Sequence, residues 1–130
     1  LQSVLVKVLL PNLVLILGHS HCAAVTSAVN GVAQDDQSSL DALATALKDP
    51  ADEAKDKVGG LKGEALVDEA IERNVLFQMK ELMKTSPVTA ARVEAGDLKI
   101  VGGVYDLETG RVRWLGEHPS QASVLEGKKP

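Results

Sequence analysis

The sequence is poor in cysteine, in aromatic side chains and in basic charge. It holds one cysteine, one phenylalanine, one tyrosine and one tryptophan, and its 14 basic residues stand against 18 acidic ones for a net charge of −4. A single cysteine excludes an internal disulfide framework, which favours the cytoplasm or an organelle such as a chloroplast or mitochondrion over secretion. The acidic balance and the lack of aromatic platforms disfavour a nucleic-acid partner.

Long uninterrupted apolar runs are also absent. The first 17 residues are apolar enough to suggest a signal peptide, but they have no basic start, and Lys7 and Pro11-Asn12 interrupt them. A membrane span needs about 20 consecutive apolar residues, so we expect none here. We interpret the region as a helix over Leu1–Leu10 followed by a strand over Leu13–Leu17. Because the sequence starts with leucine and not methionine, we expect a processed chain or a piece of a longer protein.

The remaining pattern is typical of an α/β domain. The apolar run Leu13–Leu17 predicts a buried strand, Glu64–Thr85 has the spacing of a long amphipathic helix, and Leu98–Leu115 predicts a strand and hairpin. Shorter helices are predicted over Ala23–Val29, Ser39–Leu47 and Val88–Ala95, with exposed connections between them. This order implies an α/β domain whose first strand is parallel to a later one and which ends in a β-hairpin. We assign residues 1–117 to this domain and residues 118–130 to a loosely ordered tail.

The chemistry is concentrated in Gly18–Cys22, directly after the first predicted strand. This segment holds the single cysteine and two of the three histidines. Open α/β sheets bind ligands beyond the carboxyl ends of their strands, and an imidazole and a thiol three residues apart there are typical of half a zinc site. His19 and Cys22 are therefore candidate ligands, with His21 as an alternative. The competing interpretation is a small α/β binding module in which the histidine and the cysteine only pack and no metal binds.

Three segments of the sequence resemble, in the right order, the β-class carbonic anhydrases. Leu15–Val25 resembles the family's second zinc motif, in which a strand leads to Gly-His-x-x-Cys. Asn74-Val75-x-x-Gln78 is similar to its long-helix signature, and Leu98–Gly110 is similar to its last strand and hairpin. The matches run from about Leu13 to Leu115, which is most of the chain.

This resemblance implies a zinc lyase that interconverts carbon dioxide and bicarbonate. It also implies a mainly parallel β-sheet flanked by helices and ending in a β-hairpin, and a dimer or a higher assembly. His19 and Cys22 would be two of the Zn²⁺ ligands. The metal would lower the pKa of a bound water to about 7, and the resulting zinc hydroxide would attack carbon dioxide. The carbon dioxide would rest in an apolar pocket near the interface between subunits.

The sequence also departs from the family pattern. The family takes its other thiolate and an aspartate–arginine pair from an earlier Cys-x-Asp-x-Arg strand, but no cysteine, aspartate or arginine precedes His19, and Ala23 stands where glycine usually follows the zinc cysteine. Two interpretations stay open: the C-terminal part of a normal enzyme, or a catalytically inactive structural subunit of a larger assembly. Because a sheet of only two or three predicted strands leaves its edges uncovered, we expect a homo-oligomer or a subunit of a larger complex.

Overall fold

A strand, a series of helices and a closing hairpin follow one another along the chain, as the sequence predicts. The computed structural model describes residues 11–31, 42, 45–57 and 59–127. The strands are β1 (Leu13–His19), β2 (Lys99–Tyr105) and β3 (Val112–Gly116). The helices are α1 (Ala23–Asn30), α2 (Lys48–Lys57), α3 (Glu64–Thr85), α4 (Pro87–Glu94) and α5 (Gln121–Glu126).

The three strands form one sheet in the order β1-β2-β3. β1 pairs in parallel with β2, from Leu13 opposite Lys99 to His19 opposite Tyr105. β2 then turns back to pair antiparallel with β3. The predicted α/β fold, with a parallel first pair and a closing hairpin, is confirmed.

Local signals set the ends of the helices. Gly31 ends α1 in the left-handed conformation at φ 61°, where its amide donates to the carbonyl of Ser27. Ser86 caps α4 by accepting the amide hydrogen of Thr89, and Pro87 occupies the first turn, where its missing N–H costs nothing. These residues explain why α1, α3 and α4 lie within one or two residues of their predicted bounds.

The core lies between the sheet and α3. This helix buries one stripe of apolar side chains along its length, which includes Ile71, Val75, Met79 and Met83. Glycines on the strands let the helix approach closely: a Cβ on Gly102 would lie 2.8 Å from Sδ of Met79. α1, α2, α4 and α5 all contact α3, which is therefore the centre of the domain.

The sheet has two unlike faces, which we call the helical face and the open face. On β1 the helical face consists of Val14, Ile16 and Gly18, which pack toward the core. The open face of the sheet consists of Leu13, Leu15, Leu17 and His19 on β1, Lys99, Val101, Gly103 and Tyr105 on β2, and Val112 and Trp114 on β3. Its three leucines are 56%, 39% and 49% exposed, and Trp114 is 63% exposed.

Two segments differ from the prediction. Lys48–Lys57 was expected to be an exposed connection, but it forms α2, which buries Pro50, Ala51 and Ala54. The expected tail contains the short helix α5, which packs on α3. The helix predicted over Leu1–Leu10 and most of the one predicted over Ser39–Leu47 lie outside the described residues. None of the helices that the structure describes is long and apolar enough to cross a membrane.

Candidate metal centre

The two predicted zinc ligands lie at the junction of β1 and α1. His19 is the last residue of β1, and Cys22 is the residue that caps α1. Gly18 lies beneath this junction, where an added Cβ would come within 2.7 Å of Cγ2 of Val75. A glycine is therefore needed for α3 to pack this closely under the end of the strand. The two side chains are brought to the carboxyl end of the sheet, as the sequence predicts.

His19 has a defined tautomer in this arrangement. Its Nδ1 lies 2.9 Å from the carbonyl oxygen of Ser20. A carbonyl oxygen only accepts, so Nδ1 carries the hydrogen, and in the neutral ring the lone pair lies on Nε2. Metal-binding histidines commonly use this arrangement, in which one ring nitrogen is held by a carbonyl and the other faces the metal.

Cys22 is held by its backbone and not by its thiol. Its carbonyl oxygen accepts two hydrogen bonds from Thr26, one from the amide at 2.9 Å and one from the hydroxyl at 2.8 Å. The thiol makes no capping bond to the helix, and the side chain is half-buried. The thiol therefore takes no part in capping α1, and the half-buried side chain packs against the core.

His21 makes different contacts from His19. Its backbone is left-handed at φ 53°, which makes it the one non-glycine residue with positive φ in the part of the chain that the structure describes. Its Nδ1 lies 3.6 Å from Oε1 of Glu64, and its Nε2 lies 3.5 Å from Oε1 of Glu108. Because both ring nitrogens face carboxylates, these contacts favour His19 over His21 as the metal-binding imidazole.

The β2–β3 turn lies beside this junction. Asp106 begins the turn, and its carboxylate accepts the amide hydrogen of Glu108 at 2.9 Å. This bond, followed by the hydroxyl of Thr109, lowers the pKa of Asp106 below its ordinary value, and the neighbouring His21 adds to the effect. The turn also supplies Glu108 to His21 and the amide of Leu107 to Ser20. These contacts were not predicted, because nothing in the local sequence pairs two loops so far apart.

An open cleft of about 510 Å³ lies between α3 and the hairpin. Ile71, Val104 and Val112 form its apolar part, while Asp68 and Arg111 line it with opposite charges. Ser20 reaches it, but His19 and Cys22 do not. The cleft therefore adjoins the loop between the two candidate ligands and is lined by neither of them.

The donor set fits part of a zinc site. Zinc takes neutral imidazole nitrogen and thiolate sulfur in a tetrahedral arrangement, and a catalytic site holds three protein ligands. His19 and Cys22 supply one donor of each type. Over residues 11–31, 42, 45–57 and 59–127, no group of three or more histidines, cysteines and carboxylates is placed to hold a metal ion. A zinc site built on these two residues would need at least one further ligand from outside the described residues.

Two known carbonic anhydrases are similar to this chain in sequence. A carbonic anhydrase from Synechocystis is 32% identical over 104 residues, which cover 78% of this chain and 37% of the relative. One from Synechococcus elongatus is 33% identical over 115 residues, or 87% of this chain and 42% of the relative. The chain thus spans about two fifths of the length of these relatives.

The fold agrees with the sequence comparison. The structure of a Coccomyxa β-carbonic anhydrase in complex with acetazolamide has a TM-score of 0.73 and 26% identity, over 85% of this chain and 50% of that one. A profile of the carbonic anhydrase family matches residues 4–112. The match includes β1, the Gly-His-x-x-Cys segment, α3 and β2 in the expected order. The chain belongs to the β-carbonic anhydrase family.

Proposed function

We propose that the protein containing this chain catalyses the zinc-dependent, reversible hydration of carbon dioxide to bicarbonate. The observation that carries the proposal is the junction of β1 and α1, where His19 and Cys22 project from the ends of two elements within a family match. Both donors suit zinc, and the thiol of Cys22 makes no hydrogen bond that caps α1.

Each residue of the junction has a specific task in this proposal. Nε2 of His19 and Sγ of Cys22 bind the metal, while the carbonyl of Ser20 keeps the His19 ring in the required tautomer. Zinc, when bound, lowers the pKa of a coordinated water to about 7 and so supplies a nucleophile at neutral pH. The remaining protein ligand and the residues that hold carbon dioxide come from sequence outside the described residues or from another chain.

Association is part of the same proposal. The open face carries three exposed leucines on β1, the strand that ends at His19, and the exposed Trp114 on β3, and apolar side chains grouped on one exposed face are unfavourable in water. β1 also has an edge that no other described strand pairs with. We therefore expect a homo-oligomer or a subunit of a larger complex, and a well-folded monomer in sedimentation velocity would contradict this expectation.

The test uses the protein expressed from its full coding sequence. We expect stoichiometric zinc by elemental analysis and rapid hydration of carbon dioxide in stopped-flow assays. Cys22→Ser should lose most of both, because a hydroxyl is a poor zinc ligand next to a thiolate. His118→Asn is the matched control, since it removes the histidine that lies beyond β3, and it should leave zinc and activity unchanged. Equal activity in the wild type and Cys22→Ser would exclude the metal role.

A catalytically inactive structural subunit is the second candidate. It is favoured by one observation, Ala23, which places a methyl group directly after the candidate ligand Cys22, where the family usually has glycine. It predicts a stable assembly with no stoichiometric zinc and no hydration activity, even in the full-length protein. Stoichiometric zinc together with a second thiolate from an upstream segment would rule it out.

A further inference from the structure

The loop between the two proposed zinc ligands is attached to the β2–β3 turn through a single residue. The backbone amide of Ser20 donates to the carbonyl of Tyr105 at 2.8 Å, which continues the pairing of β1 with β2 by one step. The hydroxyl oxygen of the same serine accepts the amide hydrogen of Leu107 at 2.9 Å. Ser20 therefore binds the chain on both sides of Asp106.

The turn that receives Ser20 is closed by its own hydrogen bonds. The amide of Asp106 donates to the carbonyl of Arg111 at 2.8 Å, and the amide of Gly110 donates to the carbonyl of Asp106 at 2.8 Å. The carboxylate of Asp106 accepts from Glu108 at 2.9 Å. The amide of Leu107 is thus presented by a turn whose closure does not depend on the loop that it contacts.

The loop itself needs such support more than its neighbours do. His19 is held by the strand ladder, and the carbonyl of Cys22 is held by Thr26 in the first turn of α1. Between them, His21 adopts a left-handed backbone that non-glycine residues rarely adopt. The relative placement of the imidazole and the thiol therefore depends on how firmly Ser20 and His21 are fixed.

We propose that Ser20 is a positioning residue, whose hydroxyl ties the loop to the β2–β3 turn and so places His19 and Cys22 for metal binding. This inference rests on the proposed zinc ligation by these two residues. Ser20 does not touch the metal. Its hydrogen bond lowers the free-energy cost of ordering the two ligands. Substitution of residues that orient metal ligands typically lowers the metal affinity by about 10–100-fold.

The experiment measures zinc affinity by competition with a chelator in the full-length protein. Ser20→Ala removes the acceptor and should weaken zinc binding by about 10–100-fold. Ser20→Thr keeps a hydroxyl on the same Cβ and should restore most of the affinity. Ser27→Ala is the matched control, because it removes the hydroxyl of a half-buried serine on the adjacent helix α1, and it should leave the affinity unchanged.

A second variant removes the same hydrogen bond from the other side. Leu107→Pro deletes the amide donor at the second position of the turn, where proline is well tolerated. It should weaken zinc binding about as much as Ser20→Ala does. The double variant should be no weaker than either single one, because both changes remove one interaction. Additive losses would overturn the proposal.

Two measurements separate this inference from the proposed function. In the metal-free protein, amide exchange at Leu107 should become faster in Ser20→Ala and stay unchanged in Ser27→Ala. If the wild type binds zinc and Ser20→Ala binds it as tightly as Ser27→Ala does, the positioning role is wrong and the proposed function stands. If the wild type binds no zinc, the proposed function fails, and the positioning role fails with it.

Discussion

The two faces of the sheet differ in what covers them and in what they carry. On the helical face, Val14 and Ile16 pack into a core in which Met79 and Ile100 are fully buried. On the open face, Leu13, Leu15 and Leu17 stay between 39% and 56% exposed. β1 contributes to both faces, since alternate residues of a strand point in opposite directions.

The candidate ligand His19 lies on the open face, which is the more exposed of the two. His19 continues the alternation that begins at Leu13, so it belongs to the open face, and Cys22 follows at the same end of the sheet. Cys22, by contrast, packs against the core. The comparison teaches that the two proposed ligands differ in their surroundings, because His19 lies on the face that the described fold leaves open, whereas Cys22 lies among the residues that stabilise the fold.

The largest expected effect tests the helical face. Met79→Ala removes a side chain that is fully buried at the centre of α3, so it leaves a cavity against the sheet. Such truncations cost about 2–5 kcal/mol in the free energy of unfolding. Leu107→Ala, at a leucine that is 54% exposed, should change it by less than about 0.5 kcal/mol. Urea unfolding of both variants measures the difference, and similar losses would show that α3 does not carry the core.

The next effect compares two adjacent glycines of β2 that point to opposite faces. A Cβ on Gly102 would lie 2.8 Å from Sδ of Met79 and 2.9 Å from Cγ1 of Val75, both in the buried core. Gly102→Ala should therefore destabilise the protein by about 1–3 kcal/mol, as overpacking does.

Gly103→Ala is the matched control for this comparison. Its Cβ would lie 2.9 Å from Cγ1 of Val112, a half-buried side chain on the open face that has room to move away. Its cost should be smaller than that of Gly102→Ala. Thermal unfolding of the two variants side by side measures the order, and the reverse order would contradict the assignment of the two faces.

A third effect concerns association and leaves stability nearly unchanged. Leu15→Lys places a charge in the middle of the open face and should reduce the size of the assembly in sedimentation velocity, because a buried charge without a partner is unfavourable in an interface. Leu107→Lys places the same charge on the hairpin turn and should leave the assembly intact. If neither variant changes the sedimentation coefficient, the open face is not the contact surface.

Much of the fold is predictable because its signals are local. Gly31 ends α1, and Ser86-Pro87 separates α3 from α4, whatever the rest of the chain does. The helix α2 carries no such signal, since its sequence is rich in charge and contains Pro50. Its buried side chains are small, Ala51 and Ala54 among them, and they are recognisable as core only once α3 lies against them.

The candidate site also has features that are local in sequence and features that depend on long-range contacts. The spacing of His19 and Cys22 is visible in the sequence because one loop holds both. The bond from Leu107 to Ser20 joins residues 87 positions apart, and it follows only from the register of β1 on β2. Glu64 and Glu108 reach His21 for the same tertiary reason. Sequence reasoning therefore identifies the candidate ligands but not the contacts that hold them.

The smallest expected effect is a pH dependence of stability that arises from His118, the histidine that lies beyond β3. Burial lowers the pKa of His118 below its ordinary value, Lys80 on α3 lowers it further, and Glu53 opposes both. The amide of Ser120 also donates to Nδ1 of His118 at 3.0 Å, and a protonated ring would have no lone pair there to accept it.

The sign of this effect follows from proton linkage. Because the folded pKa of His118 lies below the unfolded value of about 6.5, the unfolded state binds more protons as the pH falls. The contribution of His118 to stability is full above the unfolded pKa and is lost as the pH falls through the folded pKa. His118→Gln should therefore lose less stability than the wild type between neutral and mildly acidic pH, as measured by urea unfolding. A larger loss in the variant than in the wild type would contradict the sign, and the neutral, hydrogen-bonded state of His118 with it.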